Sequence, residues 1–150
     1  MHEAINRIVN SRLTCYLTGA TVFLGSTFEY IHLQPGGREF LGPIIGEHIG
    51  NFSFSSYPIL GATAIGVYIE NEGIKRGSNL LEAIGRSIPY IAVTMIGVAN
   101  FINEKGFLTN YSTFGENMGD IGMGLFAILA ASLLAQHLRP RWLNYLANNT

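Results

Sequence analysis

Charge is what this sequence has least of. Asp, Glu, Lys and Arg make up 13% of its 150 residues, about half the share of an average soluble domain. Nine basic residues against ten acidic ones, for a net charge of −1, leave no basic surface for a phosphate backbone and exclude nucleic acid as a partner. The single cysteine, Cys15, excludes an intramolecular disulfide and a thiolate zinc site. Gly25-Ser26-Thr27 lacks the Gly-x-Ser-x-Gly context of a nucleophile elbow. No histidine lies in the middle of an apolar run, where paired haem ligands would be needed. No internal repeat or low-complexity tract is visible, so the motifs name no reaction and no catalytic residue.

What is present is apolar length. Hydrophobic residues make up 48% of the chain and the mean hydropathy is +0.27. Four stretches carry no Asp, Glu, Lys or Arg: Leu13 to Phe28, Ile49 to Ile69, Ser87 to Asn103 and Ile121 to Leu138. Crossing about 30 Å of hydrocarbon takes about 20 helical residues, which the second and fourth supply directly. The first reaches residue 33 if Glu29 faces other helices, and the third begins near residue 84 if Arg86 snorkels to the headgroups. The spans expected are therefore about 13–33, 52–69, 84–103 and 121–138 within a single membrane domain, 1–150.

The competing reading is a soluble, Gly-rich helical domain whose apolar runs are core helices. Only the membrane reading requires Lys and Arg to alternate between connections, and they do. With the amino terminus inside, the inner segments hold Arg7, Arg12, Lys75, Arg76, Arg86, Arg139 and Arg141, and the outer loops hold Arg38 and Lys105. Tyr90, Trp142 and Tyr145 fall near span ends, as interfacial aromatics do. The first run is expected to be a retained span rather than a signal peptide, because no small-x-small cleavage site precedes the turn at Gln34-Pro35-Gly36-Gly37. The fold class expected is an all-α integral membrane four-helix bundle with both termini cytoplasmic and the lipid bilayer as its first partner.

Within the spans, Thr21/Gly25, Ala62/Gly66 and Ala127/Ala131 place small residues four apart, a spacing that lets helix backbones approach. Pro58 and Pro89 fall in the first turns of their expected spans. Asn100, the strongly polar side chain of the third, suits an interhelical hydrogen bond. Residues 1–12 form a short amphipathic lead. The stretch from Gln34 to Asn51, apolar but broken by Gly and Pro, suits packing over helix ends, and Glu70 to Leu81 reads as a polar inner loop.

The acidic residues distribute in the opposite sense to the basic ones: Glu29, Glu39, Glu47, Glu104, Glu116 and Asp120 fall on the outer side, with His32 and His48. Glu29 and His32 stand three apart, which puts a carboxylate and an imidazole on one helix face. Joined by Glu47, His48, Glu104, Glu116 and Asp120, they are candidate ligands for a divalent metal ion on mixed oxygen and nitrogen donors. If Glu29, Glu104 and Asp120 converge, the same groups suit proton handling. The alternative is a satisfied polar pair at the headgroup level, with the remaining acids solvated.

Ile102-Asn103-Glu104, followed by Glu116-Asn-Met-Gly-Asp120-Ile-Gly-Met-Gly, resembles the carboxyl-terminal part of VanZ-like and YjdF-like small bacterial membrane proteins. In those families an acid ends one span and paired acids four apart open a Gly-rich last span. The resemblance is confined to the last third. Earlier, where those families carry Asp-Lys-x-x-His-Phe, this chain has Glu47-His48-Ile-Gly-Asn51-Phe52. The resemblance implies a bacterial cell-envelope protein of poorly defined activity, and with its spans the location expected is the bacterial cytoplasmic membrane. With short connections and little room for a catalytic domain, the function expected is that of an accessory or structural subunit, partnered by other membrane subunits or by itself. The alternative is the outer carboxylate and histidine site, serving transport or an envelope enzyme activity.

Overall fold

The computed structural model describes residues 9, 11–103 and 114–149, except the side chains of Pro43, Ile44, Glu47, Asn51, Asn103 and 114–117. The described residues are almost entirely helical and include no strand: α1 (Arg12–His32), α2 (Gly37–His48), α3 (Phe52–Arg76), α4 (Asn79–Asn103) and α5 (Phe114–Asn149). Three stretches, Phe52–Arg76, Asn79–Ile102 and Met118–Asn149, are long and apolar enough to cross a membrane. α1 has the length, 21 residues, but its Thr and Ser residues and Glu29 leave it less apolar. Several hydroxyls inside the long helices, though not those of Ser56 and Ser132, are accommodated by bonding back to carbonyls one turn earlier: Thr18 to Thr14, Ser26 to Val22, Thr63 to Ile59 and Thr94 to Tyr90. Each of these four donors is thereby satisfied without water.

Local signals set the helix ends. The Ser11 side chain accepts the amide of Thr14 and opens α1. α1 stops at the Pro35-Gly36-Gly37 turn, where Gly36 takes a left-handed conformation (φ 74°). α2 is kinked at Gly42, which has non-helical angles ahead of Pro43. A short 3-10 turn, Ile49–Asn51, leads into α3. α3 ends in a Schellman motif: Gly77 at φ 62° donates to Ile74, and Ser78 donates to the Gly73 carbonyl at 2.9 Å. Ser78 then caps α4 by accepting the Leu81 amide.

The link between α3 and α4 is thus Gly77 and Ser78 alone, and the expected polar loop over Glu70 to Leu81 is helical on both sides of it. The reason is energetic: Glu72 pairs with Arg76 one turn on, and Glu82 with Arg86, which supports helix through a polar stretch. Pro58 and Pro89 lie inside α3 and α4 rather than in their first turns, because the helices start at Phe52 and Asn79.

α3 and α5 form the centre, with α4 packed on α3, α1 on α5 and little contact between α4 and α5. Apolar side chains gain little by leaving lipid for one another, so close backbone approach and polar ties decide how such helices associate. Both occur here. Gly66 of α3 faces Gly85 of α4 so closely that a Cβ on either would meet the other's carbonyl oxygen at 2.5 Å. Pro89 withdraws the helical hydrogen bond from the Gly85 carbonyl, leaving that oxygen turned toward Gly66. Gly25 of α1 receives the ring of Phe52, itself 1% exposed. Ala127 and Ala131 of α5 are fully buried, Ala127 against Ile49 and Phe52, Ala131 against Ile59, Ile96 and Ile128. Leu41 and Ile45 of α2 pack on the first of these clusters, so the segment after the Pro-Gly-Gly turn does cover helix ends. The expected lead over residues 1–12 lies largely outside the described residues.

Candidate functional site

The polar contacts fall at the two ends of the helices. Glu29 of α1 meets Ser53, and Asn100 of α4 meets Ser55, at one end. Glu70 of α3 meets Arg86 of α4 and Arg139 of α5 at the other. These pairings make consecutive long helices antiparallel and leave α3 and α5 parallel to each other. Lys75, Arg76, Arg86, Arg139 and Arg141 share one end, the basic end, and Arg38 lies at the acidic end.

At the acidic end, Glu29 is 9% exposed, and its Oε2 accepts the Ser53 amide at 2.6 Å. That amide opens α3, where the first N–H groups have no helical partner and the helix dipole favours negative charge. Glu29 is therefore a cap supplied across a helix interface, and His32 is not its partner. The His32 Nδ1 is buried without a hydrogen bond among the described residues. His48 Nδ1 lies 2.9 Å from Asp120 Oδ1, tying α2 to α5, with its ring over Gly119. Glu104 lies outside the described residues, as do the side chains of Glu47 and Glu116. Among the described residues no group of three or more His, Cys, Asp or Glu could hold a metal ion. Glu29 and Asp120 are thus engaged by different partners, Ser53 and His48.

Glu29→Ala is expected to lower stability by about 1–2 kcal/mol, the worth of a charged cap, while Glu29→Gln retains part of that contribution. Thermal melts of the three proteins in one detergent check the order. Loss of a bound metal with no change in melting temperature would overturn the capping role.

Asn100 is spent as expected: its Nδ2 donates to Ser55 Oγ at 2.9 Å in the buried interior. Gly124 of α5 leaves room for this amide, since a Cβ there would stand 2.9 Å from Nδ2.

The densest polar constellation is at the basic end. Glu70 is 2% exposed, and Arg139 Nη2 reaches its two carboxylate oxygens at 2.6 and 2.5 Å. Arg86 Nε donates to Oε1 at 2.8 Å while its Nη2 reaches Glu82 at 3.0 Å. One buried carboxylate thus joins three helices through charge-assisted hydrogen bonds. Next to it lies a partly open cavity of about 340 Å³, floored by Ile59 and Thr63 of α3. Arg86, Pro89, Tyr90 and Val93 of α4 form one wall, and Ser132, Ala135, Gln136 and Arg139 of α5 the other.

From the sequence, Arg86 and Arg139 mark orientation, Arg86 also snorkels at the start of its span, and Glu70 opens a loop. The available signal was positional: Glu70, Arg86 and Arg139 each stand at the basic end of a charge-free run, so spans that alternate in direction bring them to one level.

No protein-family model matches the chain, and no curated protein or solved structure matches it. The resemblance of the last third to VanZ-like and YjdF-like proteins therefore stands on its residues alone.

Proposed function

We propose that the chain is a four-span protein of the bacterial cytoplasmic membrane, with both termini on the cytoplasmic side, that acts by assembly, as a subunit of a membrane complex or as a homo-oligomer. The observation that carries this reading is the surface of α4. Only 11% of its most apolar stretch is buried, against 39% in α3 and 33% in α5. Its inward stripe, Gly85, Ile96 and Asn100, packs on α3 and α5. The rest is an apolar face exposing Ile84, Tyr90, Ile91, Met95, Val98 and Phe101. A helix with so few partners inside its own chain suits contact with another transmembrane helix. The cytoplasmic orientation of the basic end follows the bias of Lys and Arg, and the bacterial setting rests on the resemblance of the last third.

The test uses the chain's economy of cysteine. In a Cys15→Ala background, Ile91→Cys and Val98→Cys are oxidised in native membranes. A product at twice 16.4 kDa is expected for a homo-oligomer, and a discrete adduct of another mass for a heteromeric complex. Absence of any adduct at both positions, with cysteine on the exposed face of α1 (Leu17→Cys) equally silent, would refute assembly through α4.

A further inference from the structure

We infer that the cavity between α4 and α5 binds a phosphate ester, with the phosphate on Arg86 and Arg139 and the apolar part of the ligand along Val93 and Ala135. The inference rests on the membrane reading above but not on assembly.

Four observations converge. First, the level is right. Glu70, Arg86 and Arg139 mark the basic ends of three charge-free runs, so in a bilayer they stand where apolar helix gives way to polar, the depth of lipid phosphates. Basic pockets between spans at that depth suit anionic headgroups. Second, donors remain. Among the described residues Arg86 uses Nε and Nη2 and Arg139 uses Nη2, which leaves Nη1 of both and Nε of Arg139 open. Guanidinium N–H groups in a fixed fork match phosphate oxygens. Glu70 and Glu82 together balance the two guanidiniums in charge, so a phosphate would be held by these open N–H groups rather than by a net positive charge.

Third, the cavity is amphipathic along its length. Val93 and Ser132 each stand seven residues from the arginine on their own helix, about 10 Å deeper at 1.5 Å per residue. Between these levels the walls are Pro89, Tyr90, Val93 and Ala135, with Gln136 one turn from Arg139 as the polar side chain among them. Fourth, Ser132 Oγ is buried at this deeper level with no hydrogen-bond partner among the described residues. A buried hydroxyl without a partner is costly, and an ester oxygen of a ligand in the cavity would satisfy it. A volume of about 340 Å³ suits a headgroup and the start of its chains. Because α4 and α5 touch little, the remainder of a lipid leaves sideways between them, past the exposed Tyr90.

The phosphate ester has two sources, a bilayer phospholipid or a soluble organic phosphate, and one experiment separates them. The full chain in phosphatidylcholine nanodiscs is titrated with phosphatidylglycerol and examined by native mass spectrometry, with and without excess inorganic phosphate. One phosphatidylglycerol retained per chain is expected. Ser132→Leu fills the deeper cavity without removing a hydrogen bond within the protein, and Arg139→Gln removes a guanidinium. Each should weaken retention by about tenfold or more, the scale of one lost charge-assisted contact, while Arg141→Gln, outside the cavity, should leave it unchanged. Lipid retained in the presence of phosphate supports the bilayer source, and displacement by phosphate supports the soluble one.

Equal retention by wild type and Ser132→Leu, or no saturable binding of either probe by wild type, overturns the inference. Ser132→Leu leaves the ion triad intact, so it decides the matter even where Arg139→Gln fails to fold. Specific lipid retention without any α4 cross-link would remove the assembly proposal and leave this one standing.

Discussion

Replacing Arg86 and Arg139 together by alanine is expected to destabilise the protein by about 3–5 kcal/mol, the cost of leaving a buried carboxylate without partners. Glu70 is held on α3 with its side chain 3% exposed and cannot reach water without unpacking that helix from its neighbours. The reverse deletion is far milder. The Arg86 and Arg139 side chains are 56% and 36% exposed, so in Glu70→Leu both guanidiniums can turn into solvent. The loss is then closer to that of exposed ion pairs, about 1 kcal/mol. The asymmetry has a further consequence: adding Glu70→Leu to the double alanine variant should restore most of its stability, because the stranded charge is removed with its partners. Unfolding midpoints of the four proteins in the same detergent check this order. Equal losses for Glu70→Leu and the double alanine variant would mean that the carboxylate is solvated and the triad is incidental.

The second large effect is expected at Gly85. A Cβ there would stand 2.5 Å from both the Glu70 amide nitrogen and the Gly66 carbonyl oxygen, and both are backbone atoms of α3. Neither can yield as a flexible side chain would, so even Gly85→Ala must push the two helices apart. Overpacking of this kind costs about 1–3 kcal/mol, occasionally more, and the displaced backbone is that of Glu70 itself. Loss of stability should therefore be accompanied by loosening of the Arg86 and Arg139 contacts. The contrast lies in the same helix: nothing stands within 4 Å of a Cβ at Gly97. Gly97→Ala should be neutral or stabilising by up to about 1 kcal/mol through helix propensity. Melting the two alanine variants side by side is decisive, and similar midpoints would show that α3 and α4 are not in tight register.

The contrast between Gly85 and Gly97 also marks how far the residues alone could be read. Helical class and long apolar elements follow from charge-free runs, because few other structures satisfy the backbone in such sequence. Antiparallel order follows from the bias of Lys and Arg, and the interhelical role of Asn100 from the scarcity of partners for an amide in an apolar run. Of the three small-residue pairs, Gly66, Gly25 and Ala127/Ala131 all sit at close contacts. Gly61, with Tyr57 and Ile65 four residues away, falls outside the spacing and meets open space. Small residues permit approach, but only the rotation of a helix about its axis determines which of them are approached.

The same limit governed the polar site. Spacing put Glu29 beside His32 on one face, but which group Glu29 meets depends on where the chain re-enters after α2, and there the amide of Ser53 is the unpartnered donor. His48 and Asp120, far apart in sequence, pair because α2 folds over the end of α5. At the basic end, orientation accounts for Arg86 and Arg139 as surface charges. Their convergence on Glu70 exists only once three helix ends are brought to one depth.

By itself, then, the order of residues determined that this is an all-helical chain with membrane-type elements, a basic end and an acidic end. Those properties are sums along a strand: hydropathy over a span, charge over a connection, capping within a turn. Tertiary structure alone decided which polar groups meet, that α4 keeps an uncovered apolar face, and that a cavity opens beside two arginines. Contacts between helices depend on depth and rotation, and both are set by the whole packing rather than by any one helix.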